Sequence, residues 1–279
     1  MKIAMLGPAP PFRGGISLFA ISLARAYKDL GHTVEFFNFK QQYPQLLFPG
    51  KGQYDKALSP NEFVNHRTLV PWLPKTWKET VHQIKLYMPE IIIVSWFLPY
   101  FAPAYGYILR HLSNTKIVIL AHNITSHESW FGEKQFLQYV FKPATKIVTL
   151  SKATLDELHH KLPLYISKKG VLGYHPCYDM YNDFSTNSRK DNTLLFFGLI
   201  KPYKGLDVLL QALPEVINSF PDVRLIIAGE VFGKSSIYTE LIQKLGLENN
   251  VDCNFHYISD PEISHFYNSS CLCVLPYKS

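Results

Sequence analysis

The apolar residues of this chain gather in short unbroken runs, and helix-like stretches separate them. Ile3–Leu6, Val34–Phe39, Ile91–Trp96, Ile117–Ala121 and Ile147–Leu150 read as strands, with a weaker one near Val171. After a polar patch, Ser185 to Asn192, the pattern restarts at Leu194–Phe197, Arg224–Ala228, Asp252–His256 and Leu272–Leu275. A strand with one wet face alternates apolar and polar residues. Continuous apolar runs belong to strands covered on both faces, which is the signature of parallel sheets between helices. The reading is therefore α/β, with two Rossmann-like domains facing across a cleft. Residues 1–175 form the first, 176–192 a linker, and 193–279 a second domain that is incomplete. At 279 residues, 47% apolar, the chain is long enough to build both cores.

Helix signals support this frame. Ile16, Phe19, Ala20, Leu23, Tyr27 and Leu30 recur at helical spacing, and Gly31 supplies the stop. A second helix is expected over 206–220, kinked or split at Pro214. Gln41 to Pro74 is rich in proline and glycine and reads as a long irregular segment that is functional or mobile. Ile91 to Leu109 carries no charge and has the length of a membrane span. Its Pro99, Pro103 and Gly106 favour a buried strand, a turn and a helix instead.

The net charge of +6 suits anionic partners such as nucleotides or membrane surfaces. The lysines are spread along the chain, which argues against nucleic acid as a partner. Cys177, Cys253, Cys271 and Cys273 form no CxxC or Cys/His set. They read as buried, reduced thiols in a cytoplasmic protein. MKIAMLG is too short an apolar run for a signal peptide.

The most informative segment is LLFFGLIKPYKGLDVLLQAL, Leu194 to Leu213. An apolar strand runs into Gly198, a short turn presents Lys201 and Lys204, and Gly205 opens a helix. Strand, basic loop and helix start together can hold phosphate, because outward N–H groups and the helix dipole favour an anion there. On spacing alone, an ordinary turn with solvated lysines fits as well. The first strand ends in GPAPPFRGG. This is not GxGxxG, which disfavours a nicotinamide-dependent dehydrogenase. Gly14 and Gly15 before a helix let backbone approach a ligand, and a plain turn is the alternative. The fifth strand ends in AHNITSHESW, placing His122 where sites are built. Taken alone, such a histidine is more often structural.

These motifs resemble the retaining glycosyltransferases of family 4, with the GT-B fold. The resemblance covers essentially the whole chain and implies roles residue by residue. The basic turn grips the diphosphate of a nucleotide-sugar donor, through Gly198, Lys201 and Lys204. Gly14 and Gly15 contact the donor phosphate or the acceptor from the first domain, and are assigned to the donor. His122 faces the donor sugar and is, with Lys204, the expected catalytic pair. Asn123, His127 and Glu128, in the pattern HNxxxHE, shape the acceptor side. Glu230 in IIAGE and Tyr257 in FHYIS lie near the donor, and His175-Pro176 marks the domain boundary. Family members commonly carry arginine directly after the phosphate-turn glycine. Leu199 stands there instead, so the diphosphate falls to Lys201 and Lys204.

The implied activity is transfer of a sugar from a UDP- or GDP-sugar to a saccharide or lipid-linked acceptor, as in polysaccharide or glycolipid synthesis. No cofactor is implied and no metal is expected, since no DxD-type acidic pair is present and His122, His127 and Glu128 match no zinc spacing. Trp72, Trp77, Tyr87 and nearby lysines suggest peripheral attachment to the inner membrane face. The sequence ends at Ser279, before the glycine-rich loop and E-x7-E pair of the family. A truncated, non-catalytic binding module is therefore one alternative, and a sugar-nucleotide 2-epimerase of the same architecture is another.

Overall fold

The computed structural model describes residues 1–44, 54, 62–112, 114–125, 132–176 and 191–278. The chain divides into two compact units, Met1–Pro176 and Cys177–Ser279. The first holds a parallel sheet of seven strands in the order β3-β2-β1-β4-β5-β6-β7. These are β1 Lys2–Leu6, β2 Thr33–Phe39, β3 Val64–Leu69, β4 Ile91–Trp96, β5 Lys116–Ala121, β6 Lys146–Thr149 and β7 Gly170–Leu172. Helices α1 Gly15–Asp29, α2 Pro74–Tyr87, α3 Ala102–Arg110, α4 Glu133–Phe141, α5 Lys152–Lys161 and α6 Leu164–Ser167 link them.

The central strands are buried on both faces, as their unbroken apolar sequence requires. Ala4, Leu6, Val94, Trp96 and Ile119 pack into the core that also holds Val81 of α2, Ile108 of α3 and Val140 of α4. Ile3, Met5, Phe36, Ile93 and Leu120 point the other way, onto Phe19, Ala20 and Ala24 of α1. The run Ile91 to Leu109 is a strand, a 3-10 turn at Pro99–Phe101 and a helix. Among the described residues, no helix is long and apolar enough to cross a membrane.

The second unit holds four parallel strands in the order β10-β9-β8-β11: β8 Thr193–Phe197, β9 Arg224–Ala228, β10 Val251–Asn254 and β11 Leu272–Cys273. Helices α7 Leu206–Ser219, α8 Ser236–Lys244 and α9 Asp260–Asn268 accompany them. Phe196, Leu225 and Ile227 meet Leu206, Leu209, Leu210 and Leu213 of α7 on one face. Leu195 and Ala228 meet Ile258 and Phe266 on the other.

Four sequence expectations need correction. Pro214 does not split its helix, because α7 runs unbroken through it. An interior proline costs about 3 kcal/mol. The four buried leucines of α7 gain about 1.5–3 kcal/mol each, so burial wins. The segment after Gln41 is not irregular throughout, because 64–69 is strand β3. Its polar sequence VNHRTL hid it. As an edge strand it needs one partner, and its polar side chains find local ones: His66 lies 2.7 Å from Glu35 and stacks on Phe37 at 4.7 Å between centroids. The thiols are not buried. Cys253 is exposed and Cys271 and Cys273 are half-exposed, because they lie on or beside the two edge strands of the small sheet; Cys177 lies outside the described residues. Finally, Tyr87 is buried with its hydroxyl donating to Thr33 O at 3.0 Å. Trp77 donates to Val70 O and Pro71 O, both at 3.2 Å. Of the three aromatics expected at a membrane, only Trp72 is exposed.

One buried polar residue organises the loop after β1. Asn38, fully buried, donates to Ala9 O at 2.9 Å and Pro10 O at 3.3 Å, and accepts from the Ala9 and Phe39 N–H groups. Asn65 of β3 donates to Pro10 O at 2.6 Å. The chain that leads to α1 is thus fixed by two strands. Asn38→Ala should cost about 2 kcal/mol, the penalty for stranding buried backbone groups. Chemical denaturation measures this, and amide exchange should rise at Ala9 and Phe39.

Candidate functional site

The candidate site residues fall into two constellations, one in each unit. In the first unit the site begins at the C-terminal ends of the strands, where ligands of doubly wound sheets bind. Gly14 and Gly15 open α1, and both are solvent-exposed. Among the described residues, a Cβ at either would meet nothing within 4 Å. Gly14, at the N-cap, has no side chain to bond the first N–H groups of the helix.

His122 follows β5 directly, and its N–H donates to Trp96 O at 2.9 Å. Its ring meets the Phe19 ring edge-on at 5.3 Å. Phe19 also contacts His175 at 5.4 Å. The helix that begins at Gly15 therefore carries the side chain that seats both histidines. His122 Nε2 is buried and, among the described residues, has no hydrogen-bond partner. Burial, and then the positive charge that His175 can carry, push the His122 pKa down to about 4. The imidazole is therefore neutral at physiological pH. The following loop is stitched in place from two sides. Trp96 donates from Nε1 to Ile124 O at 3.2 Å, and Thr125 bonds Glu157 of α5. Asn123, immediately before these anchors, is exposed. His127 and Glu128 lie outside the described residues.

Phe19 was readable in the sequence only as a core position of α1, and His175 only as a boundary marker. No one-dimensional pattern links residues 19, 122 and 175. An apolar hollow of about 240 Å³ lies on the α1 face, lined by Phe19, Leu23, Tyr27, Val118, Val148 and Tyr174 among others. It lacks the convergent polar groups of a ligand site.

In the second unit, β8 ends at Phe197, Gly198 follows, and the chain turns through Lys201 and the 3-10 turn Pro202–Lys204 into α7. Two close backbone approaches shape this turn. A Cβ on Gly229 would overlap the Gly198 carbonyl oxygen, and a Cβ on Gly205 would overlap that of Pro276. Ile200 donates to Glu230 O at 2.8 Å and accepts from Phe232 N–H at 2.9 Å, which ties the turn to the end of β9.

Lys204 reaches back over Gly198. Its Nζ lies 3.0 Å from where a Gly198 Cβ would stand. It also lies 5.7 Å from the Tyr277 ring centroid. Burial and the neighbouring Lys201 lower its pKa, and Cys273 opposes that shift. The Lys201 ammonium lies 5.0 Å from the Phe232 ring centroid. The turn thus brings Gly198, Lys201 and Lys204 together at the start of α7. Glu230 joins them through its backbone. Tyr257 stands apart, after β10, one strand beyond β9. Among the described residues, no three His, Cys, Asp or Glu side chains are grouped to hold a metal.

Two family models match this chain. Residues 13–168, more than half of it, match "Glycosyltransferase Family 4". Residues 181–279 match "Glycosyl transferases group 1". The phosphatidyl-myo-inositol mannosyltransferase of Mycobacterium tuberculosis is 52% identical over 246 residues, 82% of this chain and 60% of that protein. The GDP-mannose:glycolipid 4-beta-D-mannosyltransferase of Xanthomonas campestris pv. campestris is 23% identical over 168 residues, 60% of this chain and 45% of that protein. The chain thus spans 45% to 60% of the length of these two relatives. Among solved structures, a glycosyltransferase from Rickettsia africae ESF-5 superposes with a TM-score of 0.70 at 19% identity, over 99% of this chain and 73% of that one. That likeness establishes the GT-B fold. On the family models, this chain belongs to the family 4 glycosyltransferases, with a match to the group 1 model over residues 181–279.

Proposed function

We propose that the protein is a retaining glycosyltransferase that moves a hexose, of the mannosyl kind named in both relatives, from a nucleoside-diphosphate sugar to a saccharide or lipid-linked acceptor. GDP-sugar is the favoured donor class, from the Xanthomonas relative, and UDP-sugar the second. One observation carries the reading: the half-buried Lys204 ammonium held over Gly198, between the end of β8 and the start of α7. A cation, glycine backbone and a helix N-terminus at one point form an anion site.

The roles follow from the charges that the reaction develops. The bond from sugar C1 to the β-phosphate oxygen breaks, and its electron pair leaves with the diphosphate. Lys204 and Lys201 stabilise that charge, with the α7 N-terminus behind them. Lys204 is partly desolvated, so its field is less screened than that of a surface lysine. These groups supply the charge that a divalent metal supplies elsewhere, so the reaction runs without one. His122, neutral and carrying an unpaired Nε2, faces the sugar without repelling the positive charge that develops at C1. Gly14, Gly15, Glu230 and Tyr257 complete the donor contacts, and Asn123, His127 and Glu128 the acceptor side.

Peripheral membrane attachment on the cytoplasmic face fits this acceptor class. Its support shifts from the three aromatics to Trp72 and Leu73 with Lys75, Lys78 and Lys85 along α2, all exposed. Flotation with anionic vesicles should carry the protein upward, and Lys75→Glu with Lys78→Glu should release it. Absence of wild-type flotation discards this part.

Two measurements address the chemistry. In the whole protein, Lys204→Ala should lower turnover by roughly 10²–10³-fold, the scale of losing a charge-stabilising donor. Turnover near the wild-type value would remove Lys204 from the mechanism. His122 should titrate near 4 by NMR, well below the ordinary 6.5. Because its folded pKa is depressed, the unfolded chain binds more protons between those values. Stability should therefore fall as pH drops from about 6.5 toward 4. A His122→Gln variant should lose that component of the pH dependence.

A further inference from the structure

The reading above gives no role to Pro276, Tyr277 and Lys278, yet these residues are tied to the basic turn at several points. The Pro276 carbonyl lies where a Cβ on Gly205 would be. The Lys278 N–H donates to Tyr203 O at 2.8 Å. The Lys278 ammonium pairs with Asp207 on the first turn of α7, at 2.6 Å. The Tyr277 ring lies edge-on to Tyr203 at 5.9 Å and 5.7 Å from the Lys204 ammonium. The strand-end segment after β11 is therefore a strap across the turn, and its side chains meet Lys204 and Asp207.

A lysine stem is long and flexible, and Lys201 repels Lys204. Left alone, Lys204 would swing toward solvent. An acidic partner could hold it, but that carboxylate would neutralise the charge and compete with phosphate. An aromatic face attracts an ammonium without cancelling it. Asp207 poses the opposite problem. It suits the helix dipole, but it places a negative charge on the turn that receives an anion. Its pair with Lys278 is well exposed, with side-chain exposures of 43% for Lys278 and 37% for Asp207. Such a pair adds little stability, and its consequence lies in the local charge.

We propose that Tyr277 and Lys278 are positioning residues for the diphosphate site. The Tyr277 ring holds the Lys204 ammonium over Gly198, and Lys278 neutralises Asp207 so that the turn stays positive. This rests on the reading of Lys204 as the diphosphate-binding cation.

The test is calorimetric binding of GDP and UDP to the whole protein, following whichever binds more tightly. The matching monophosphate serves as control, and melting temperatures confirm folding. Tyr277→Leu should weaken the diphosphate by about five- to ten-fold, the scale of a partly desolvated cation–π contact, and leave the monophosphate within about two-fold. Tyr277→Phe, which keeps the ring, should bind like wild type. In a Lys204→Ala background, Tyr277→Leu should add no further loss, since the two act as one unit. Lys278→Ala should weaken binding, and adding Asp207→Asn should restore it. The inference is overturned if Tyr277→Leu binds like wild type, if Tyr277→Phe is as weak as Tyr277→Leu, or if the Leu change costs as much without Lys204. Failure of Asp207→Asn to restore binding overturns the Lys278 role. Should Lys204→Ala bind as tightly as wild type, or wild type bind neither nucleotide, the donor-site reading itself fails, whatever Tyr277 does.

Discussion

The small sheet and its site depend on backbone approaching backbone more closely than any side chain permits. At the end of β9, Gly229 lies against the Gly198 carbonyl, and at the start of α7, Gly205 lies against the Pro276 carbonyl. Both glycines have positive φ, 151° and 73°, so an L side chain would be strained there as well as obstructed. These two contacts draw the ends of β8, β9 and β11 onto one turn. Lys204 can then return over Gly198, because a Cβ there would stand in contact range of its ammonium. The leucines of α7 anchor the helix from below and fix the direction in which its N-terminus points.

The first unit uses different means for a similar end. Its loops are secured by buried hydrogen bonds from side chains at strand ends: Asn38 and Asn65 to the loop after β1, Trp96 to the loop after β5. Each bond is worth little alone, but leaving its buried partner unpaired costs more. The loops are therefore defined while their tips stay open, as Gly14, Gly15 and Asn123 do. His122 sits at the boundary of these regimes. Its ring is packed against Phe19 and kept neutral, and its Nε2 finds no hydrogen-bond partner among the described residues.

What could be read in advance follows a physical divide. Strands β1, β4, β5, β8 and β9 are apolar because both faces are covered, and apolar runs are visible in one dimension. Gly198, Lys201, Lys204 and Gly205 were legible because strand, turn and helix start fall within a few residues. Strand β3 was hidden, because an edge strand can keep polar residues that pair locally, as His66 does with Glu35. Pro214 misled because propensity is local, whereas the burial that overrides it is tertiary. Phe19 with His122 and His175, and Tyr277 with Lys204, were invisible for one reason: each joins residues that are distant in sequence, and no spacing rule brings them together.

The central claim is that the turn between β8 and α7 holds a diphosphate. A crystal structure of the whole protein with bound GDP or UDP tests it most directly. The account predicts the β-phosphate within hydrogen-bond distance of Lys204 Nζ and of the first N–H groups of α7, with Lys204 still against Tyr277. A diphosphate bound elsewhere, with the Lys204 ammonium turned into solvent, would contradict it.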